Sequence, residues 1–359
     1  MMKKLTVFMM CLLLGLCSLV SAKKEMGVFV NANTNSIQFI DPETNNYYDD
    51  TPNYLGGELG SYGGGLFDVE ITPNGKTAIV SNFGDSRVFF IDISGGIDTP
   101  PTLLASVRTG MFAEDMVITP DGQYVLVADG GFSPYVSVIL TDPTFIRRNY
   151  LGANRYAQAI DITPDGQTVL VADYSGRRVH AFTLNYADGS LTHKKTVRIT
   201  PFTPVNIAIS PDGRTVIAVV AGSPCLVSLY FDTAGVLHYN EIVALPSKNG
   251  QSCVFSKNGK KAYYLSNSQT KGTRVHILEV VGTKVTPTST SINIWPRRGT
   301  SQLFGVDTIA LDKQENYLYV TNPTLSGGIG DVAVVDLDTN TQVGYIPAKG
   351  IPTGIAFTK

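Results

Sequence analysis

The sequence predicts an all-β fold, a seven-bladed β-propeller with four antiparallel strands in each blade. Two observations predict it: one phrase recurs along the 359 residues, and the two chain ends read as complementary parts of one further repeat. The phrase is an apolar strand followed by Pro-Asp-Gly or Pro-Asn-Gly. Proline fixes φ in that turn, the Asx side chain caps it, and glycine accepts a positive φ. The clear copies are residues 68–75, 115–122, 159–166, 206–213 and 252–259, the last with Lys for Pro.

The spacing of the copies predicts how the strands are organised. Their turn glycines are 44 to 47 residues apart, and a period of this length with about four short strands per unit is typical of propeller blades. A second strand rich in β-branched residues follows each turn, as at residues 168–171. A third strand, as at 179–182, and a looser fourth come next. Because the strands are apolar on both faces, we expect neighbouring blades to cover each sheet.

Two further copies complete the ring. Residues 308–322 keep the strand-turn-strand pattern without the turn glycine. The chain ends in a first strand, 354–358, while residues 28–30 and 37–40 read as second and third strands that lack a first. We therefore predict one blade closed by the N- and C-terminal strands, which leaves no unpaired sheet edge.

The sixth copy contains the segment Tyr319, Val320, Thr321 and Asn322. On this motif and the repeats, the chain resembles the YVTN-repeat, lactonase-like seven-bladed propellers over residues 26–359. The resemblance implies two uses: some relatives are cytoplasmic lactonases acting on a phosphorylated sugar lactone, and others are exported proteins that bind partners. The lactonase branch typically has a histidine just before its inner strands, whereas residues 112–114, 156–158 and 204–205 contain none.

The N-terminus predicts export. Residues 1–22 combine Lys3 and Lys4, an apolar run and a small-residue exit at Ala22, which is typical of a secretory signal peptide. We therefore predict one propeller domain over 23–359, periplasmic or secreted. No later apolar run reaches the ~18 residues of a membrane span. Without the two leader lysines, 26 basic residues face 30 acidic ones, and this balance does not favour nucleic-acid binding.

Two cysteines remain after the leader, Cys225 and Cys253. An oxidising compartment permits a disulfide. However, one is predicted to open a third strand and the other lies in the first strand of the next blade, which places them beyond disulfide reach. We expect two buried thiols.

Carboxylates on the innermost strands give the first candidate site. Asp68, Glu70, Asp115 and Asp161 fall at inner-strand positions of three consecutive blades. Carboxylates facing a narrow channel raise one another's pKa unless a hard cation lies between them. The hypothesis is a channel site at these four residues that binds Ca²⁺ or Mg²⁺ or performs acid-base chemistry. The alternative is that a water-filled channel simply keeps them solvated.

Other candidate residues lie in the loops that lead to the inner strands. Basic residues are no more frequent there than chance gives, so an anion-binding collar is one reading among several. Trp295 is either a partner-binding aromatic or part of an anchored loop. His180 and His276 share a third-strand position and are expected to pack between blades, and the Asn or Asp residues that end the second strands are expected to cap the following loops. The candidate ligand-binding residues are Arg108, Arg155, Lys248, Trp295 and Arg297.

Two classes of function follow. The first is an exported, monomeric binding or scaffold propeller that presents its channel mouth to a protein partner or small ligand. The second is a lactone or ester hydrolase in which Asp68, Glu70, Asp115 or Asp161 holds a metal or activates water. Docking to a redox protein stays open. Haem-attachment, zinc-helix, serine-elbow and phosphate-loop motifs are absent from the sequence.

Overall fold

The structure of the protein, a computed structural model, describes residues 24–48, 65–97, 99–131, 134–152, 156–268, 272–295, 308–322 and 329–358. The predicted signal peptide, Arg155 and Arg297 lie outside these residues. Throughout the described ranges the regular elements are β-strands, and no helix there is long and apolar enough to cross a membrane.

The described residues form 28 strands in seven four-stranded antiparallel sheets, each sheet being one blade. The first strands along the chain are β1 (Gly27–Asn31), β2 (Ser36–Asp41) and β3 (Asn46–Tyr48). Blade 1 contains β4 (Leu66–Ile71), β5 (Thr77–Asn82), β6 (Arg87–Asp92) and β7 (Thr102–Arg108). Blade 2 contains β8 (Ala113–Ile118), β9 (Tyr124–Asp129), β10 (Tyr135–Leu140) and β11 (Ile146–Tyr150). Blade 3 contains β12 (Ala157–Ile162), β13 (Thr168–Asp173), β14 (Arg178–Asn185) and β15 (Ser190–Arg198).

The second half of the chain repeats this plan. Blade 4 contains β16 (Thr203–Ile209), β17 (Thr215–Ala221), β18 (Cys225–Phe231) and β19 (Leu237–Ala244). Blade 5 contains β20 (Gly250–Phe255), β21 (Lys261–Ser268), β22 (Gly272–Val281) and β23 (Lys284–Asn293). Blade 6 contains β24 (Ile309–Leu311), β25 (Tyr317–Asn322), β26 (Asp331–Asp336) and β27 (Thr341–Pro347). The last strand is β28 (Pro352–Phe357).

Blade 7 is the predicted split blade, with strand order β28-β1-β2-β3. Strand β28 pairs antiparallel with β1, so that Phe357 lies opposite Gly27 and Ile355 opposite Phe29. Each inner strand contacts the inner strand of the next blade, and β28 contacts both β4 and β24. The seven-bladed fold, its four-stranded blades and its closure by the two chain ends are therefore confirmed.

The hydrophobic core is divided among the seven blade junctions. Each of seven clusters of buried side chains combines residues of two adjacent blades. At the junction of blades 3 and 4, for example, Leu170 and Val179 share a cluster with Ile207 and Leu229. Full burial of such a side chain contributes about 1.5–3 kcal/mol. Neighbouring blades thus cover both faces of each sheet, as the continuous apolar strands predict.

The degenerate sixth repeat keeps its turn by placing another residue in the left-handed conformation. Gly75 has a φ of 65° and donates its N–H to Thr72 O, and Glu315, at the same position in blade 6, has a φ of 59° and donates to Asp312 O. The turn geometry therefore survives the loss of glycine at a conformational cost.

The expectation of two buried thiols is confirmed, because Cys225 and Cys253 are both free and buried. Burial raises the pKa of each thiol, which keeps both in the unreactive protonated form.

Candidate functional site

The N-terminal ends of the seven inner strands define one end of the channel, which we call the mouth. Several inner strands carry a β-bulge there: the pairing with the second strand shifts register between Leu66 and Val69 in β4, between Ala113 and Met116 in β8, and between residues 157 and 159 in β12. A bulge redirects side chains and is frequent beside functional sites. The mouth therefore differs in backbone geometry from the opposite end, where the Pro-Asp-Gly turns lie.

Three of the four predicted channel acids form bonds between blades. Asp68 Oδ2 accepts a hydrogen bond from Met116 N at 3.0 Å, and Asp115 Oδ2 accepts one from Ile160 N at 2.8 Å. Asp161 Oδ2 continues the series by accepting from the N–H of residue 209 at 2.7 Å. Each carboxylate thus links its own inner strand to the inner strand of the following blade, and β4, β8, β12 and β16 are joined in sequence.

Two of these bridging acids, Asp68 and Asp115, have raised pKa values. Burial, followed by the charges of Asp115 and Glu70, raises the pKa of Asp68 well above its usual value. Burial likewise raises the pKa of Asp115 to about 8, with Asp161 and Glu70 adding to the effect and the backbone N–H of Ile160 opposing it. At neutral pH, protons are therefore retained within this group of carboxyls.

The carboxyl oxygens of the predicted metal site are directed mainly at the protein backbone. Within the described ranges, no three His, Cys, Asp or Glu side chains come together as a set that would hold a metal ion. Asp68, Asp115 and Asp161 instead direct oxygen atoms at backbone N–H groups. A Ca²⁺ or Mg²⁺ requirement stays a prediction for titration.

Glu114, the second residue of β8, differs from the bridging acids at the mouth because side chains, not backbone N–H groups, donate hydrogen bonds to it. Its side chain is only 2% exposed. Tyr156 Oη donates to Glu114 Oε1 and Gln158 Nε2 donates to Glu114 Oε2, both at 2.7 Å. The carboxyl lies against Gly130, where a Cβ would come within 2.3 Å of Glu114 Cδ. A larger residue at position 130 would therefore displace it.

Burial raises the pKa of Glu114 to about 8, although the hydrogen bond from Tyr156 lowers it. A carboxyl that titrates near the working pH can accept a proton in one step and return it in the next. Burial and the neighbouring Glu114 charge also raise the pKa of Tyr156, so its hydroxyl remains a proton donor at neutral pH.

Aromatic side chains surround this part of the mouth, and we call them the aromatic crescent: Phe67, Phe83, Phe112, Tyr156 and Tyr174. All five are partly exposed. Ring centroids are 4.5 Å apart for Phe83 and Phe112, 6.0 Å for Phe67 and Phe83, and 5.5 Å for Tyr156 and Tyr174. Partly exposed aromatic rings beside a few polar groups are typical of small-ligand sites.

Phe112, at the centre of the crescent, has a strained backbone. Its φ is 55°, in the left-handed region that a bulky side chain rarely adopts. Ser86 Oγ accepts its N–H at 3.0 Å, and Gly130 N donates to its carbonyl at 2.9 Å. Strain held in this way concentrates at functional sites.

A buried histidine network supports the site from blade 3. His180 is fully buried, with Nδ1 2.8 Å from Thr196 Oγ1 and Nε2 3.3 Å from Asp173 Oδ2. Asp173 Oδ1 also accepts the N–H groups of Tyr156 at 3.2 Å and Gly176 at 2.8 Å. Burial alone would raise the pKa of Asp173, but these hydrogen bonds lower it overall. Asp173 therefore caps its loop, as predicted, and positions Tyr156.

The remaining predicted ligand-binding residues lie apart from one another. Arg108 ends β7 at the junction of blades 1 and 2, and Lys248 is exposed in the loop between β19 and β20. Trp295 follows β23 and is 51% exposed. Its backbone N–H donates to Gln342 Oε1 at 2.7 Å, and its carbonyl accepts from Gln342 Nε2 at 2.5 Å. The loop of Trp295 is thus anchored. These three residues sit at different blade junctions and do not form one collar.

Sequence reasoning missed Glu114 as a site residue. The signal was a column of polar residues just before the acid positions, which reads Glu114, Gln158 and Gln251 in blades 2, 3 and 5. All three side chains are buried. Polar residues that are buried at a strand end need partners, and those partners define the site.

Fold and site together define the class of the protein: a seven-bladed β-propeller with a buried carboxyl at its channel mouth. Residues 132–238, from blade 2 into blade 4, match the family model described as Lactonase, 7-bladed beta-propeller. The resemblance predicted from the repeats is therefore confirmed. A sequence search of curated proteins gives no match.

Solved structures of low sequence identity share the fold. A functionally unknown protein from Desulfotomaculum acetoxidans DSM 771 is 20% identical, with a TM-score of 0.77 and coverage of 93% of this chain and 98% of that one. The periplasmic gluconolactonase of Pseudomonas aeruginosa is 14% identical, with a TM-score of 0.72 and coverage of 93% and 99%. A putative 6-phosphogluconolactonase from Bacteroides fragilis NCTC 9343 is 16% identical, with a TM-score of 0.70 and coverage of 94% and 99%.

Proposed function

We propose that this protein is an exported hydrolase that opens a small lactone at the mouth of its channel. The observation that carries the proposal is Glu114, a buried carboxyl with a pKa of about 8 that is hydrogen-bonded to the partly exposed Tyr156. The family match and the gluconolactonase neighbours support the substrate class. The leader at residues 1–22 supports export.

The proposed reaction needs one proton carrier. Ionised Glu114 accepts a proton from the attacking water through the Tyr156 hydroxyl, and the water oxygen bonds to the lactone carbonyl carbon. When the bond from that carbon to the ring oxygen breaks, the same proton returns through Tyr156 to the ring oxygen. The product is a hydroxy acid. The aromatic crescent packs against the substrate, and Gln158 holds Glu114 in place.

A second candidate is a binding or scaffold protein that uses the same mouth without turnover. The observation that favours it is the 2% exposure of Glu114, which places the carboxyl behind Tyr156 rather than in direct contact with a ligand. The aromatic crescent alone offers a binding surface of the kind that proteins use for small ligands.

Assays of the chain from residue 23 on a panel of sugar lactones separate these candidates. We expect Glu114→Gln to lower turnover by about 100-fold or more, whereas Glu279→Gln, at an exposed position in β22, retains it. Turnover should increase with pH up to about 8, where Glu114 becomes ionised. Wild-type activity in Glu114→Gln would contradict the hydrolase proposal, and saturable lactone binding without turnover would support the binding protein.

The same assay tests the metal. Turnover that requires added Ca²⁺ or Mg²⁺ and disappears with a chelator would support a metal at Asp68, Glu70, Asp115 or Asp161, whereas turnover that a chelator leaves unchanged would support Glu114 acting alone.

A further inference from the structure

The aromatic crescent changes in chemistry along its length. At one end the rings are tyrosines: Tyr156 Oη donates to the Glu114 carboxyl, and the Tyr174 ring lies beside that of Tyr156. The other rings, which we call the phenylalanine row, are those of Phe67, Phe83 and Phe112. A phenylalanine ring has no hydrogen-bonding group. The polar end of the crescent therefore adjoins the proton carrier, and the other end is entirely apolar.

Gly131 connects the phenylalanine row to the proton carrier. A Cβ at Gly131 would come within 1.9 Å of Phe112 Cδ2, so the Phe112 ring lies directly against this glycine. The backbone N–H of Gly131 interacts with the Tyr156 oxygen. From there the row extends into blade 1, where Phe67 occupies the strand position that Glu114 has in blade 2.

The propeller repeat does not require aromatic residues at these positions. At the mouth, the N–H of a residue at the end of the second strand donates to the carbonyl of the residue that precedes the first strand. The pairs are Phe83 with Gly65, Gly130 with Phe112, Tyr174 with Tyr156, and Asn267 with Asn249. Blade 5 thus forms the same contact with two asparagines. The packing of the blades leaves the choice of aromatic residues in blades 1 to 3 to another requirement.

Phe112 shows this most clearly, because it occupies a position that suits other residues. Its φ of 55° is close to that of Gly65, 57°, and of Asn249, 58°, at the equivalent positions of blades 1 and 5. Glycine and asparagine tolerate this left-handed conformation, whereas a bulky side chain rarely adopts it. Blade 2 therefore holds a ring near Glu114 at a conformational cost that the other two blades avoid. Functional sites are where such costs are found.

We propose that the lactone opened at Glu114 carries an apolar alkyl chain that lies along the phenylalanine row. This inference rests on the proposed hydrolase and adds its substrate class. The lactone ring lies beside Tyr156, and the chain extends towards blade 1. A methylene that is fully removed from water strengthens such an interaction about fourfold. A polyhydroxylated chain would instead lose hydration against these rings without gaining hydrogen bonds.

A series of δ-lactones with alkyl chains of increasing length tests the proposal: δ-valerolactone, δ-hexalactone, δ-octalactone and δ-decalactone, with glucono-δ-lactone as the polar comparison. Each kcat/KM is taken relative to the uncatalysed rate of hydrolysis. We expect this quantity to increase by at least about tenfold from δ-valerolactone to δ-decalactone. We expect glucono-δ-lactone to fall below δ-decalactone.

The ratio of kcat/KM for δ-decalactone to that for δ-valerolactone isolates the contribution of the chain. Phe83→Ala and Phe112→Asn should each lower this ratio by about threefold or more. Phe112→Asn introduces the residue that blade 5 has at this position, so it should melt close to the wild-type temperature. Phe145→Ala is the control, because Phe145 is 40% exposed in the hairpin between β10 and β11, at the end opposite the mouth. It should keep the wild-type ratio, and a row with a purely structural role would keep it in every variant.

The outcomes distinguish this inference from the hydrolase proposal. Turnover that does not increase with chain length, that is highest for glucono-δ-lactone, or whose ratio is unchanged in Phe83→Ala and Phe112→Asn would overturn the alkyl chain and leave the hydrolase in place. A variant that loses cooperative melting is replaced by Phe67→Ala.

Absence of turnover with every lactone would contradict the hydrolase, and calorimetric titration of the wild type then decides the ligand class. Tighter binding of δ-decalactone than of δ-valerolactone, weakened in Phe83→Ala, would support an alkyl ligand on the phenylalanine row. Equal binding of the two lactones, or none, would overturn it.

Discussion

The wall of the channel differs between its two halves. In blades 1 to 3, which we call the acidic half, the inner strands carry Asp68, Glu70, Asp115 and Asp161. In blades 4 to 6, the neutral half, the same positions carry Asn, Ser, Thr, Ala and Val. Carboxylates join the inner strands of the acidic half to one another and to β16. Apolar clusters fill the junctions of both halves alike.

This difference shows that the propeller does not need the carboxylates in order to close. The neutral half packs with the same type of core, so the acids add a local, titratable connection to a fold that apolar packing maintains. Glu114 and the aromatic crescent also belong to blades 1 to 3. The chain therefore concentrates its chemistry on one side of the ring.

The largest expected effect comes from opening blade 7, which joins the two halves. Deletion of residues 352–359 removes β28, including Ile355 and Phe357, whose side chains are buried. The Phe357 ring lies 4.6 Å from that of Tyr319 in blade 6. We expect loss of cooperative unfolding or aggregation, measured by circular dichroism and light scattering. The substitution Phe357→Leu is the control and should still melt cooperatively. A truncated protein that melts as the full chain does would show that closure is dispensable.

The next largest effect tests the polar network of the acidic half. His180→Ala removes the ring that bonds both Asp173 Oδ2 and Thr196 Oγ1 in the interior of blade 3, and we expect it to lower the free energy of unfolding by about 2–4 kcal/mol. Lys195→Ala, which changes an exposed residue of the same blade, should change it by less than about 0.5 kcal/mol. Denaturant unfolding measures both. Equal effects would mean that the buried network does not stabilise blade 3.

A smaller effect compares equivalent positions directly. Asp115→Ala leaves Ile160 N–H without its acceptor. We expect the free energy of unfolding to decrease by about 1–3 kcal/mol at pH 5, where the Asp115 carboxyl is neutral. Ser252→Ala, at the same position in the neutral half, should lose less than about 1 kcal/mol. An equal decrease in the free energy of unfolding of the two variants would mean that the carboxylate bridges stabilise the protein no more than the contacts of the neutral half do.

The fold was predictable from the sequence because its signals are local and repeated. Each turn triplet and each apolar strand can be recognised from its own residues. The unmatched strands at residues 28–30 and 354–358 can only pair with each other. The site was less predictable. Asp68, Asp115 and Asp161 were found as candidates, but their backbone partners on the next blade have no side-chain signature. Glu114 depends on a bulge and on Gly130, which no local pattern reveals.

The smallest effect is a dependence of stability on pH that arises in the acidic half. The pKa of Asp115 is about 8 in the folded protein against an ordinary value of 3.8, and Glu114 and Asp129 are shifted in the same direction. Between pH 4 and 8 the folded state therefore holds protons that the unfolded state has released. The contribution of these three carboxyl groups to the stability of the folded state is greatest below pH 4 and is lost as the pH increases through 8.

We expect the free energy of unfolding of the wild type to decrease by at least about 1 kcal/mol between pH 5 and 9. Asp115→Asn keeps an oxygen acceptor for Ile160 N–H and removes one titrating group, so its decrease should be smaller. Glu279→Gln makes the same change of charge at an exposed site of the neutral half and should follow the wild type. A wild-type stability that increases over this range would show that the acidic half is ionised and solvated at neutral pH, and Glu114 would then lose the environment that makes it a proton carrier.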